Sequence, residues 1–184
     1  IDFANFPSPA GATATEPERP ALKRVVLHGD WRQGTSRRFA RWVTKHVWPR
    51  LRSEHHDALL STTAHSDVTH ELAQASLVVC AATDPGMATM PVLHALAMQQ
   101  PVVASADALE GLPVCDNEHL LMTRGEGHWA QICLEALASP TLCWHMARIG
   151  RQLVEREFDI TRQNGLVPML GVDRPVRATR RLAA

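Results

Sequence analysis

Residues 86–111, GMATMPVLHALAMQQPVVASADALEG, decide how this chain is read. They parse as loop, helix, strand and loop. Asp84-Pro85-Gly86 breaks the chain after the apolar run 76–82. Residues 87–98 are helix formers, with Val92, Leu93, Leu96 and Ala97 on one face. Pro91 falls in the first turn, where a missing N–H costs little. Gln99-Gln100 ends the helix, 101–105 is an apolar strand, and Glu110-Gly111 closes the loop beyond it. A glycine-bearing loop that feeds a helix start presents unpaired N–H groups and a positive dipole end, where phosphates bind readily. An ordinary crossover helix of an α/β sheet is the plainer reading of the same residues.

Working outward, the pattern stays α/β. Residues 24–28, RVVLH, form a short apolar strand that ends at Gly29. A helix follows over about 35–52, with Thr35 or Ser36 as its N-cap and Phe39, Trp42, Val43, Val47 and Leu51 at helical spacing. One short strand spans 58–63, and Asp67 caps a helix to about Ala75. SLVVCAA, 76–82, is a buried strand that leads into the organising stretch. Beyond it come a turn at 116–119, a short strand at 120–122, and a helix over 127–138 with Trp129, Ile132, Cys133 and Leu137 inward. A last helix runs from Pro140 to Phe158 with Leu142, Met146, Ile149, Leu153 and Val154 on one face. Alternating strands and helices of this kind make a parallel sheet covered on both sides.

The totals bound the function. The chain has 184 residues, 45% apolar and 21% charged, enough for one domain with its own core. The formal net charge is zero, so bulk charge gives no argument for nucleic acid. No apolar run approaches the roughly 18–20 residues of a membrane span. The chain starts at Ile1 with no signal-peptide pattern and is expected to be a piece of a longer protein. Cys80, Cys115, Cys133 and Cys143 each sit in apolar context, which predicts buried free thiols in a reducing compartment. The groupings His55-His56 and His65/His70 lack the i,i+4 spacing of helical metal ligands, so no metal site is expected. No G-x-S-x-G frame or Walker lysine occurs, and no catalytic residue is assigned.

The wording of five phrases resembles the second domain of GT-B glycosyltransferases, the large family-four type that builds polysaccharides and glycolipids. The family writes G-x-x-x-K-V-L-E-A-L-A, P-V-V-A-S and E-G-L. This chain has Gly86, Val92-Leu93-His94-Ala95-Leu96-Ala97, Pro101–Ser105 and Glu110-Gly111-Leu112. Ile1, Asp2, Phe6 and Pro7 or Pro9 resemble the phrase at the family's domain boundary. Arg41-Trp42-Val43 with His46-Val47-Trp48-Pro49, then Asp67, Val68, Leu72 and Ala75, and finally Arg148–Arg151 with Val154-Glu155, resemble three more. The family's Lys is Pro91 here, the Glu that holds ribose hydroxyls is His94, and an upstream acid is Gly86. Relative to the family, 53–66 is also too short by about one strand–helix unit.

The resemblance implies a Rossmann-like parallel sheet flanked by helices, the shortened second domain of a GT-B glycosyltransferase. It divides the chain into a boundary segment 1–21, the Rossmann-like domain 22–158, and a C-terminal helix and basic tail 159–184. It implies transfer of a hexose from a UDP- or GDP-linked nucleotide sugar to a glycan or lipid acceptor, with catalysis needing the first domain. The nucleotide-sugar site would comprise Gly29, Arg32, Gly34, Gly86, Met87, Ala88, His94 and Glu110, with Arg37 and Arg38 near a diphosphate. No cofactor, metal or nucleic-acid partner is implied. A cytoplasmic location is implied, and the arginines of 174–184 leave a peripheral membrane contact open. The departures at Gly86, Pro91 and His94 support a second reading: a catalytically inactive GT-B-like domain serving as a binding or assembly module.

Overall fold

The computed structural model describes residues 1, 6, 23–29, 34–64, 67–81 and 89–159. The expectations for 7–21, Arg32, Gly86, Met87, Ala88, the helix over 159–170 and the tail 174–184 lie wholly or almost wholly outside the described residues.

Five parallel strands form one sheet in the order β2-β1-β3-β4-β5. They are β1 (Arg24–His28), β2 (Leu59–Thr62), β3 (Leu77–Cys80), β4 (Val102–Ser105) and β5 (Leu121–Thr123). The helices are α1 (Gly34–Trp42), α2 (Trp48–Glu54), α3 (Val68–Ala73), α4 (Thr89–Ala97), α5 (Trp129–Ala138) and α6 (Pro140–Phe158). The expected α/β architecture is therefore present.

Strand alternation sorts the core into two layers. Val25, Leu27, Leu77, Val79, Val103 and Leu121 face α1, α2 and α5. Val26, Val78, Cys80, Val102 and Ala104 face α3 and α4. Strands covered on both faces have no polar side to offer, which is why β1 and β3 read as unbroken apolar runs.

Local chemistry explains the helix ends. The Asp67 carboxylate accepts from the N–H groups of Thr69 (2.8 Å) and His70 (3.4 Å), the predicted N-cap of α3. The end of α4 is a Schellman motif. Gln100 N–H donates to Ala95 O (3.0 Å) and Gln99 N–H to Leu96 O (2.9 Å), with Gln99 left-handed at φ 54°. Gly150 is where α6 crosses α4. A Cβ there would lie 2.7 Å from Leu96 Cδ2 and 3.0 Å from His119 O.

Four expectations need correction. The first helix starts at Gly34, so Thr35 and Ser36 lie inside its first turn rather than at its cap. That helix also passes through a π segment, Val43–Val47, before α2, because Pro49 has no N–H to return to the preceding turn. Leu142 is 54% exposed. The buried stripe of α6 runs through Cys143, Met146, Ala147, Gly150 and Val154, one residue out of phase with it. Cys115 is exposed while the other three thiols are buried. Exposure alternates over 112–115, with Leu112 and Val114 packed against the core and Cys115 facing out.

Candidate functional site

In a parallel sheet the carboxyl ends of all strands share one edge, and ligands settle there where the strand order reverses. Here the reversal falls at β1, which has β2 on one side and β3 on the other. The loops after β1, β3 and β4 leave from this edge.

At the end of β1, His28 is 6% exposed. It follows Val26 by two residues, so it faces the α4 layer, and its register partner on β3 is Cys80. Its Nδ1 is 2.9 Å from Thr63 Oγ1, just past β2. Its Nε2 has no hydrogen-bond partner among the described residues. The His94 ring, from the second turn of α4, lies 5.7 Å away at 30°. The Phe6 ring stacks on His94 at 4.8 Å and 20°.

Burial, and then the neighbouring His94, push the His28 pKa down to about 3. Burial first, and the amino group of residue 1 second, also lower His94. Both imidazoles are therefore uncharged at neutral pH. Each offers one donor and one acceptor, where a carboxylate would offer only acceptors.

On the other face of β1, Ser36 is 2% exposed and its Oγ also lacks a partner among the described residues. It lies 3.3 Å from where a Cβ on Gly29 would stand, so Gly29 keeps the strand end open beside it. Gly34 opens α1, and a Cβ added to it would meet nothing within 4 Å among the described residues. Arg37 and Arg38 are exposed in the same helix.

Glu110 is exposed after the short 3-10 turn Ala106–Leu109, and Gly111 turns the chain at φ 80°. Glu110 follows the carboxyl end of β4, which is two strands from β1 in the sheet. Of the expected site residues, Gly29 follows the end of β1, His94 lies beside His28, Gly34 opens the next helix, and Glu110 follows β4. Arg32, Gly86, Met87 and Ala88 are not among the described residues.

No protein-family model matches this sequence, and no curated protein matches it. Solved structures do. The C-terminal domain of a glycosyl transferase group 1 family protein (LpcC) from Francisella tularensis is similar with TM-score 0.61 at 13% identity, over 87% of this chain and 99% of that one. A glycosyltransferase from Rickettsia africae gives 0.62 at 13%, over 94% and 56%. Anabaena Alr3699/HepE, solved with UDP and glucose, gives 0.57 at 15%, over 83% and 40%. The fold is that of a GT-B C-terminal domain. The chain spans about half the length of the latter two proteins or less.

Within this GT-B fold, the sequence reading missed His28, Thr63 and the buried face of Ser36. The available signal was a titratable residue closing an apolar strand directly before a glycine. It also missed a cluster at the opposite edge, where ligand atoms of Cys115, Glu118 and His119 lie within 4.8 Å of one another. That cluster is poorly suited to a metal. Cys115 N–H donates to His119 Nδ1 (3.0 Å), which occupies one lone pair and puts the ring proton on Nε2. No helix among the described residues is long and apolar enough to cross a membrane.

Proposed function

We propose that this chain is the donor-binding half of a glycosyltransferase, holding a UDP- or GDP-linked sugar at the carboxyl edge of its sheet. Transfer goes to a glycan or lipid acceptor in polysaccharide biosynthesis, in the cytoplasm. Catalysis needs the other half of a GT-B cleft to bring the acceptor. The proposed contacts are Gly29, Arg32, Gly34, Gly86, Met87, Ala88, His94 and Glu110.

One observation carries this reading. The strand-order reversal at β1 holds buried polar atoms with no protein partner among the described residues, beside a glycine whose missing Cβ lets Ser36 Oγ come close to the backbone. The likeness to HepE, solved with UDP and glucose, supports the ligand class. Backbone N–H groups and arginines suit a diphosphate without a bound cation.

The second reading, an inactive binding or assembly module, is favoured by His94. A neutral ring stands where the family resemblance expects a carboxylate, and Phe6 covers one of its faces. Replacing a charged double acceptor for a diol by one imidazole should weaken nucleotide binding about tenfold to a hundredfold.

Calorimetric titration of the 184-residue chain with UDP, GDP, ADP and their sugars separates the two. Binding by the unmodified chain, lost in Arg32→Ala, supports the donor site. Binding seen only in His94→Glu marks a scaffold that has lost its chemistry. Silence in both proteins overturns the donor reading.

A further inference from the structure

His28 closes a strand whose Val25, Val26 and Leu27 are buried in the core. A strand end needing only core would carry valine or leucine there, as at Val26 and Leu27. The imidazole instead takes a buried position and leaves one of its two nitrogens unpaired among the described residues. Native structures seldom leave a buried nitrogen so, and a missing ligand is a standard cause.

We infer that His28 contacts the ligand, its Nε2 forming a hydrogen bond with a neutral sugar hydroxyl of the bound nucleotide sugar. This rests on the donor-binding reading and adds to it a residue and a selected chemical group.

Geometry supports the assignment. Thr63 holds Nδ1, the ring nitrogen nearer the backbone, and so fixes the ring and leaves the distal Nε2 for a ligand. The ring stands at the strand-order reversal, in the layer where α4 and β3 adjoin β1. The His94 ring lies beside it, and Phe6 stacks on His94.

Charge narrows the choice of group. Among the described residues, Thr63 bonds His28, Cys80 is its register partner and His94 is its ring neighbour, and none of these three brings a positive charge at neutral pH. An anionic phosphate oxygen is better met by backbone N–H groups and arginines. Ser36 Oγ, on the opposite side of the β1 end, is a second unpaired buried atom at the same edge.

A pair of polar substitutions tests this in the full chain. In His28→Asn the amide occupies the Nδ1 region and keeps the Thr63 contact but loses the distal atom. In His28→Gln the longer side chain restores a polar atom near the Nε2 position. UDP-glucose, GDP-glucose and inorganic diphosphate are the probes, titrated by calorimetry, with circular dichroism to confirm folding.

The expected result is at least a tenfold loss of nucleotide-sugar affinity in His28→Asn, near-normal affinity in His28→Gln, and unchanged diphosphate binding in both. A structural role for His28 predicts the reverse order of the two variants. Normal affinity in His28→Asn, or a parallel loss of diphosphate binding, overturns this inference alone. Absence of nucleotide-sugar binding by the unmodified chain overturns the donor reading and this inference together.

Discussion

The two ends of the sheet are built differently. At the amino end, polar groups are paired within the protein. Arg24 and Ser76 exchange hydrogen bonds, Ser76 Oγ accepting at 3.2 Å and Ser76 N–H donating at 2.8 Å. Asp116 Oδ1 accepts from Met122 N–H at 2.8 Å, and His119 Nδ1 accepts from Cys115 N–H at 3.0 Å. At the carboxyl end, His28 Nε2 and Ser36 Oγ are buried without partners among the described residues. The other such atoms among the described residues, Trp144 Nε1 and Arg148 Nε, belong to α6. His119 and His28 make the contrast plain: one histidine closes a turn, the other leaves a nitrogen over. Paired groups add stability, whereas unpaired buried groups cost it.

The largest expected effect is at the paired end. Gly150→Val places side-chain atoms against Leu96 and the His119 carbonyl, which cannot both retreat. Urea denaturation should show a loss of about 3 kcal/mol. A loss under about 0.5 kcal/mol would show that α4 and α6 cross more loosely than the Gly150 contacts require.

The next effect belongs to the unpaired end. His28 has a folded-state pKa of about 3, below the ordinary value of 6.5. The unfolded chain therefore binds the extra proton between these values, and stability present above pH 6.5 falls on acidification toward pH 3. Between pH 6.5 and 5 the loss is about 2 kcal/mol from His28, to which the lowered His94 adds in the same direction. His28→Leu should remove the His28 part of this slope. An unchanged slope in that variant would place the proton uptake elsewhere.

His119→Ala sharpens the comparison. It orphans the Cys115 N–H and should cost about 1–2 kcal/mol in denaturant titration, with nucleotide affinity unaltered. A fall in affinity would mean that the two ends are coupled.

The smallest effect is a gain. Gln99 is left-handed at the C′ position of the Schellman motif, where glycine has no Cβ to strain. Gln99→Gly should raise stability by about 0.5–1 kcal/mol, seen as a higher thermal midpoint.

Much of the scaffold was legible. β1 and α6 fall where the residue pattern puts them, and Asp67 caps α3 as its position predicts. The alternation of apolar strands with amphipathic helices also settles the class. The π segment was not legible, because the apolar spacing from Phe39 to Leu51 continues through it and only Pro49 hints at a break. Leu142 misled because it lies one helical step, about 100°, from a stripe that its spacing nearly matches. Of the candidate site, Gly29 and Gly34 were read from their loop positions and His94 from the family resemblance, while His28 was passed over as the end of an apolar strand.

The sequence by itself determined the order and type of the elements, since hydrophobic period, caps and turn residues act over a few positions along the chain. Tertiary structure decided which strands adjoin. Only that arrangement brings Thr63, 35 residues away, onto one nitrogen of His28, and sets His94 and Phe6 beside its ring. Whether a buried polar atom is satisfied depends on groups distant in the chain, and no local pattern carries that information.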